Sequence, residues 1–254
     1  MRGLRYLLSF SIFLILTESS AQGIIAHAHN DYLNEKPLIF ALQNGFHSIE
    51  VDIYEYQGEI VVSHYGNNLK SKPTLRSLYL EPLRDFLDGN QAVDLWLLID
   101  LKQEDESLLD LLHEQIQELG NLFKSKKSSE LRPVQIVLSG SVQRQLIAET
   151  DFYEYFYLDG RIHHLESESW DSYLMPLISA NITNVVKWNG KNQINAEDKK
   201  RINDLVLLAD SQGKKLRFWK TKDSEDTWVQ LREMGVHVIG TDEVEALAQF
   251  IKKN

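Results

Sequence analysis

The chain has 254 residues, a net charge of −10 at pH 7 and no cysteine. The length suits one large domain. The negative charge argues against nucleic acid or anionic lipid as a partner, because both attract cationic surfaces. Without cysteine there are no disulfides and no thiolate metal ligands.

Residues 1–21 have the pattern of a secretory signal peptide. A basic start with Arg2 and Arg5 precedes an apolar run that is too short to span a bilayer, and small residues end the segment at Ala21. We therefore predict cleavage after Ala21, export to the periplasm or the cell exterior, and one mature domain over residues 22–254. No later apolar run is long enough to cross a membrane.

The first predicted strand, residues 23–30, carries two histidines. His27 and His29 are two residues apart, so an extended strand directs both side chains to the same face. A short helix follows, with Pro37 near its start and Gly45 after its end, in the positions that these residues prefer.

The next stretch is an acidic hairpin. Glu50 and Asp52 lie in an apolar, β-branched run, and their spacing places both carboxylates on one face of a strand. Buried acids are costly unless a cation binds them, and Mg²⁺ or Ca²⁺ prefers such oxygen ligands. A turn at residues 56–59 leads into a second apolar strand that ends at His64. The pattern predicts a site for one divalent cation beside an imidazole.

Helices and strands then alternate to the end of the chain. We predict helices at residues 75–87, 108–119, 142–150, 170–178, 226–234 and 243–253, and a long helix with Asn195 as its N-cap and Gly213 after its end. We predict strands at 94–102, 134–138, 156–161, 184–188, 215–221 and 236–242. With the second hairpin strand counted as an extra, the pattern makes eight βα units. In this length, eight units indicate an α/β protein with a (β/α)₈ TIM barrel rather than an open doubly wound sheet.

The barrel prediction brings the chemically interesting side chains together. Active sites of this fold lie at the C-terminal ends of the strands. Seven such side chains fall late in their predicted strands: His29, Glu50, Asp52, Asp100, Lys102, Trp219 and Asp242. We expect them to collect on one rim.

These motifs resemble the phosphatidylinositol phospholipase C-like phosphodiesterases, in particular the glycerophosphodiester phosphodiesterase branch. The resemblance rests on the histidine at the end of strand one, Glu50-x-Asp52, the hairpin ending in His64, Asp100-x-Lys102 and the aromatic strand that ends at Trp219. The local run His29-Asn-Asp-Tyr is similar to the altered-inheritance-of-mitochondria type of protein in this superfamily.

The resemblance implies a phospholipase C-like barrel and a metal-dependent phosphodiesterase. Glu50, Asp52 and Asp100 would hold one Mg²⁺ or Ca²⁺, and Lys102 would help to neutralise the substrate phosphate. The implied substrate is a small phosphodiester, either a glycerophosphodiester or a head group derived from a phospholipid. Trp219 is a candidate for contact with it, although a tryptophan in such a strand also fits a core position.

His29 and His64 are the implied acid and base, and the sequence does not order the two roles. Asn30 stands where typical glycerophosphodiesterases have a phosphate-binding arginine, and we expect its amide to hydrogen-bond the substrate phosphate or a metal-bound water. The third metal carboxylate is Asp100 rather than the more common glutamate, as in the sphingomyelinase D-like branch.

Two other function classes are open. His27-x-His29 also resembles the first strand of zinc amidohydrolases, which would need His163 or His164 and Asp242 as further ligands, but Trp188 stands where a histidine is expected. The third class is a binding protein on a barrel without catalysis.

Overall fold

The computed structural model describes residues 23–89 and 93–253. The predicted signal peptide lies outside the described residues. None of the described helices has both the length and the hydropathy that a bilayer crossing requires.

Strands and helices alternate along the described chain. The strands are β1 Ile25–Ala28, β2 Ser48–Tyr56, β3 Glu59–Val62, β4 Leu95–Leu101, β5 Val134–Gly140, β6 Phe156–Gly160, β7 Leu177–Asn181, β8 Lys215–Trp219 and β9 Val238–Thr241. The helices are α1 Ile39–Gln43, α2 Glu81–Asp88, α3 Glu106–Glu118, α4 Arg144–Glu149, α5 Ile162–Glu166, α6 Ala196–Ser211, α7 Glu225–Glu233 and α8 Val244–Lys253.

The strands close into a barrel. β1 pairs in parallel with both β9 and β2, and the sheet continues through β4 to β8. β3 is antiparallel to β2 and pairs with no other named strand of the described chain. Eight parallel strands in the described residues therefore form the wall and β3 is an appendage, which confirms the (β/α)₈ prediction.

The strand register aligns side chains in horizontal rows. Glu50 pairs with Leu98, Leu98 with Val137, and Val137 with Tyr157. Residues in one row point to the same face of a sheet, so Glu50 shares its face with these three apolar side chains. Leu98, Val137, Tyr157, Leu177 and Val238 form their own buried cluster, separate from the large core between strands and helices. We place this cluster in the barrel interior, with Glu50 at the same level.

One predicted helix and one predicted strand are wrong. Residues 170–178 are not a helix and residues 184–188 are not a strand; instead α5 precedes β7, Leu177–Asn181. Pro176 directly before β7 disfavours helical conformation in the residue that precedes it. The apolar run at 184–188 packs as a loop, in which the Trp188 backbone N–H donates to Asp198 Oδ2 at 2.9 Å rather than to a strand.

Candidate active site

Three carboxylates meet where β2 and β4 lie side by side. Asp52 and Asp100 are register partners, and Glu50 lies two residues before Asp52 on the same face. One oxygen from each of Glu50, Asp52 and Asp100 lies within 4.8 Å of the other two. Asp52 Oδ1 is buried and has no hydrogen-bond partner. A hard divalent cation fits this donor set, because it would supply the missing partner of a buried carboxylate oxygen.

Two cations from the chain already contact the cluster. Arg217 Nη2 donates to Glu50 Oε2 at 2.6 Å, and Lys102 Nζ lies 3.0 Å from Asp52 Oδ2 and 3.2 Å from Asp100 Oδ1. Burial favours the neutral form of Glu50, but the Arg217 charge and the hydrogen bond from His27 outweigh it and hold the Glu50 pKa well below its usual range. Glu50 is therefore an ionised carboxylate in the barrel interior.

The surroundings of Asp100 disfavour its charged form. Burial raises its pKa to about 6, and the charges of Glu50 and Asp52 act in the same direction against the attraction of Lys102. Gly140 provides the space for this carboxylate, because a Cβ at position 140 would lie 2.3 Å from Asp100 Oδ1. Its φ of +73° also favours glycine.

His29 is held at the rim by the last strand. Its backbone N–H donates to Thr241 O, and its ring Nδ1 lies 2.8 Å from Asp242 Oδ1. Burial opposes protonation of this ring, but the hydrogen bond to Asp242 and the charge of Glu50 outweigh it and raise the pKa of His29. Its Nε2 lies 3.8 Å from Glu50 Oε1, so it faces the carboxylate cluster.

His64 reaches the cluster from β3. Its Nδ1 lies 2.8 Å from Asp52 Oδ2, and Tyr32 donates its hydroxyl hydrogen to the same oxygen at 2.8 Å. The ring is half exposed, so Nε2 is available to a bound molecule. Both His29 and His64 are thus oriented by a carboxylate at Nδ1, which leaves Nε2 for proton transfer.

Asn30 links the two histidines. Its amide nitrogen lies 3.0 Å from His29 Nδ1, and its amide oxygen lies 2.8 Å from the hydroxyl of Tyr32, which also contacts His64. Asn30 has left-handed backbone geometry, with φ at 48°, which asparagine tolerates better than most residues. In this structure its amide is engaged with side chains of the site.

His27 has a different environment from His29. It is fully buried between Ser48 Oγ at 2.7 Å and Glu50 Oε2 at 2.9 Å. Burial, with the nearby Arg217 charge, lowers its pKa to about 3, so the ring is neutral near pH 7. His27 therefore positions the Glu50 carboxylate and has no exposed nitrogen for proton transfer.

Trp219 ends β8 beside the site. Its side chain is 41 % exposed and lines a cavity of about 110 Å³ together with His29, Arg217 and Asp242. This position at the mouth of the barrel is not the core position that the sequence left open for it.

Arg217 and Gly140 are the site residues that the sequence analysis missed. An arginine inside the apolar strand at residues 215–219 is the available signal for a buried ion pair. Gly140 gave no signal, because its role depends on a carboxylate of the neighbouring strand.

The zinc amidohydrolase arrangement does not form among the described residues. His163 and His164 contact each other, with their Nε2 atoms 3.0 Å apart, and Trp188 lies in a loop. Within residues 23–89 and 93–253, the group of three or more potential ligands within reach of one ion consists of carboxylates alone. Such a set favours Mg²⁺ or Ca²⁺ over zinc.

The described fold is a TIM barrel with an acidic candidate metal site where β2 and β4 lie side by side. The family model described as the AIM6-like phosphodiesterase domain matches residues 17–94, a segment that contains Glu50, Asp52, His29 and His64. The resemblance predicted from the sequence is thereby confirmed.

Individual relatives agree with this match. The chain is 25 % identical over 266 aligned positions to "Altered inheritance of mitochondria protein 6 homolog" of Arthroderma benhamiae, covering 89 % of this chain and 84 % of the relative. It is 26 % identical to "Altered inheritance of mitochondria protein 6" of Eremothecium gossypii, with coverages of 88 % and 68 %. The crystal structure of glycerophosphodiester phosphodiesterase from Agrobacterium tumefaciens superposes with a TM-score of 0.57 at 16 % identity, covering 91 % of this chain and all of that one. The superposition establishes the shared fold.

Proposed function

We propose that the protein is an exported, metal-dependent phosphodiesterase that cleaves a small phosphodiester, such as a glycerophosphodiester or a head group derived from a phospholipid. The observation that carries the proposal is the carboxylate cluster with an unpartnered Asp52 oxygen, flanked by two histidines whose Nδ1 atoms are each bound to a carboxylate. Export rests on the signal-peptide pattern of residues 1–21.

Each side chain has a role in this reaction. Glu50, Asp52 and Asp100 would hold one Mg²⁺ or Ca²⁺, which supplies Lewis-acid stabilisation of the negative charge on the phosphate oxygens. Lys102 adds a second positive charge on the same side. One imidazole accepts a proton from the attacking hydroxyl group and the other donates a proton to the leaving alcohol.

The contacts of the histidines support their roles as proton acceptor and proton donor. Asp242 fixes the orientation of His29 and stabilises its protonated form, whereas His64 is held by Asp52 and Tyr32. Trp219 would pack against the alcohol portion of the substrate, and the Asn30 amide nitrogen donates at 3.4 Å to Asp242, the partner of His29.

The first test is hydrolysis of bis(p-nitrophenyl) phosphate by the purified protein. We expect EDTA to abolish turnover and Mg²⁺ or Ca²⁺ to restore it. Glu50→Ala should lower kcat/KM by at least about 100-fold, since a metal ligand and the partner of Arg217 are lost together. Glu59→Ala is the matched control, because Glu59 is an exposed carboxylate in the same hairpin.

Two results would contradict the proposal. Turnover that survives both EDTA and Glu50→Ala would exclude a metal held by this cluster. Restoration by Zn²⁺ alone would contradict Mg²⁺ or Ca²⁺ as the ion.

A further inference from the structure

A second cavity lies on the far side of Trp219. It has a volume of about 330 Å³ and lies at the C-terminal ends of β6, β7 and β8. The residues that line it and matter here are Arg161, Ser179, Asn181, Asn184, Arg201 and Trp219. Apart from Trp219, none of them has a role in the proposed phosphodiester cleavage.

This cavity adjoins the candidate active site. Trp219 lines it and also lines the smaller cavity that contains His29 and Asp242. On the other side, Arg161 Nη2 donates to Ser139 Oγ at 3.3 Å, and Ser139 is the register partner of Asp100. A substituent of a phosphodiester bound at the carboxylate cluster would therefore extend into this space.

The polar groups of the cavity are mainly hydrogen-bond donors. Ser179 is 2 % exposed, and its buried Oγ has no hydrogen-bond partner. The Asn181 amide oxygen already accepts from the backbone N–H and the hydroxyl of Thr183, so the amide nitrogen remains to donate. No Asp or Glu of the described chain lines this cavity.

The permanently charged side chains that line the cavity are Arg161 and Arg201. Arg161 pairs with the buried Asp159, and Arg201 pairs with Glu166. Arg144 adds a third guanidinium, which donates from Nε to the backbone carbonyl of Asp159 and has a buried Nη2 without a partner. A cationic group such as a quaternary ammonium would be repelled here, whereas an anion would be attracted.

We propose that the cavity is an anion subsite that recognises a second negatively charged group, carboxylate or phosphate, on the alcohol of the phosphodiester. The proposal rests on the proposed function, because it takes the carboxylate cluster as the place where the scissile phosphate binds. Arg161 supplies the charge, and the hydroxyl and amide groups supply directed hydrogen bonds. The preferred substrates are phosphodiesters that carry an additional anionic group.

The test compares product-like monoesters that differ by one anionic group. Titration calorimetry in the presence of Mg²⁺ measures Kd for O-phosphoserine against O-phosphoethanolamine, and for glycerol 1,3-bisphosphate against glycerol 3-phosphate. In at least one pair, we expect the monoester with the additional anionic group to have a Kd about tenfold lower. One charge-assisted hydrogen bond provides a gain in affinity of this size. The pair that shows the preference identifies carboxylate or phosphate as the recognised group.

Two variants test whether the cavity causes the preference. Asn184→Asp adds a negative charge at an exposed position without breaking an ion pair, and it should reduce the ratio of the two Kd values to near one. Arg161→Gln should have the same effect. Asn121→Asp is the matched control, because it makes the same charge change at an exposed residue before β5, at the opposite end of the barrel.

Equal affinities within both pairs, or an unchanged preference in Asn184→Asp and Arg161→Gln, would overturn the subsite. Hydrolysis of bis(p-nitrophenyl) phosphate is measured separately. Turnover without an anion preference would refute the subsite alone, whereas a preference without turnover would refute the proposed reaction and leave an anion-binding cavity.

Discussion

Asp100 occupies a space that only a glycine at position 140 leaves open. The carboxylate lies where the Cβ of any other residue would be, and the positive φ of Gly140 adds a second reason for glycine. The placement of Asp100, a candidate metal ligand, therefore depends on a residue without a side chain. A sequence alone does not reveal such a dependence, because the two residues are far apart in the chain.

We predict that Gly140→Ala displaces Asp100. The protein should lose at least about 3 kcal/mol of unfolding free energy and bind Mg²⁺ at least about tenfold more weakly, because steric overlap adds to the backbone strain. Gly58→Ala is the control, since Gly58 has a similar φ of +81° but open space around its Cβ. It should cost only about 1 kcal/mol. Urea unfolding and Mg²⁺ titration of both variants measure the difference, and equal losses would contradict the steric explanation.

His164 gives a prediction about pH. Burial, together with the charges of His163, Arg144 and Arg161, lowers its pKa to about 4, and its Nδ1 accepts a hydrogen bond from the Arg161 backbone N–H. Between pH 6.5 and 4 the unfolded chain therefore binds a proton that the folded protein does not. Stability should fall as pH decreases through this window and be fully retained above it.

His164→Gln removes this contribution. The loss of unfolding free energy between pH 7 and pH 4.5 should be smaller than in the wild type by about 1 kcal/mol, a value reduced for the partial exposure of the ring. Urea denaturation at the two pH values measures it. An identical pH dependence in the variant and the wild type would contradict the lowered pKa of His164, because the ring would then be protonated in the folded protein at pH 4.5.

At the scale of elements, the two-residue spacings were the most informative part of the sequence. Glu50-x-Asp52 and Asp100-x-Lys102 predicted which side chains share a face, because the period of a strand is fixed. The contact between Arg217 and Glu50 joins residues 167 positions apart, and no local pattern predicts it. β7 was missed because five residues between loops give too little periodicity to separate a strand from a helix.

The N-cap of α6 gives a prediction for one element. The Asn195 side chain accepts from the Asp198 backbone N–H and donates to the Asp198 carboxylate, which in turn accepts from the Trp188 backbone N–H. Asn195→Ala should cost about 1–2 kcal/mol of unfolding free energy, whereas Asn195→Ser should cost less because it keeps an acceptor. Metal affinity should not change in either variant. Thermal unfolding with and without Mg²⁺ checks both statements. A smaller loss of stability in Asn195→Ala than in Asn195→Ser would contradict the role of Asn195 as the cap.

At the scale of the whole molecule, metal binding should stabilise the fold. The ligands come from two adjacent wall strands, and the unfolded chain does not bring them together. At a Mg²⁺ concentration 100 times Kd, the unfolding free energy should rise by about 2.7 kcal/mol. In a chain of this size that corresponds to an increase in Tm of about 5–10 °C.

Asp100→Asn separates this effect from other changes. The raised pKa of Asp100 means that its charge is unfavourable in the metal-free protein at pH 7, so the variant should unfold at the same or a slightly higher temperature without metal. It should lose most of the Mg²⁺-induced increase in Tm. Differential scanning fluorimetry over a Mg²⁺ titration measures both values, and a full increase in the variant would exclude Asp100 as a ligand.

The two internal cations also determine how many ions the site accepts. Glu50, Asp52 and Asp100 carry three negative charges when ionised. Arg217 and Lys102 neutralise two of these charges, so the group has one net negative charge. One divalent ion reverses that sign, and a second would meet a positive centre. The loaded centre would carry one unit of positive charge, which a phosphodiester monoanion neutralises. On this charge balance, Arg217 and Lys102 would limit the site to one divalent ion and one singly charged scissile phosphate group.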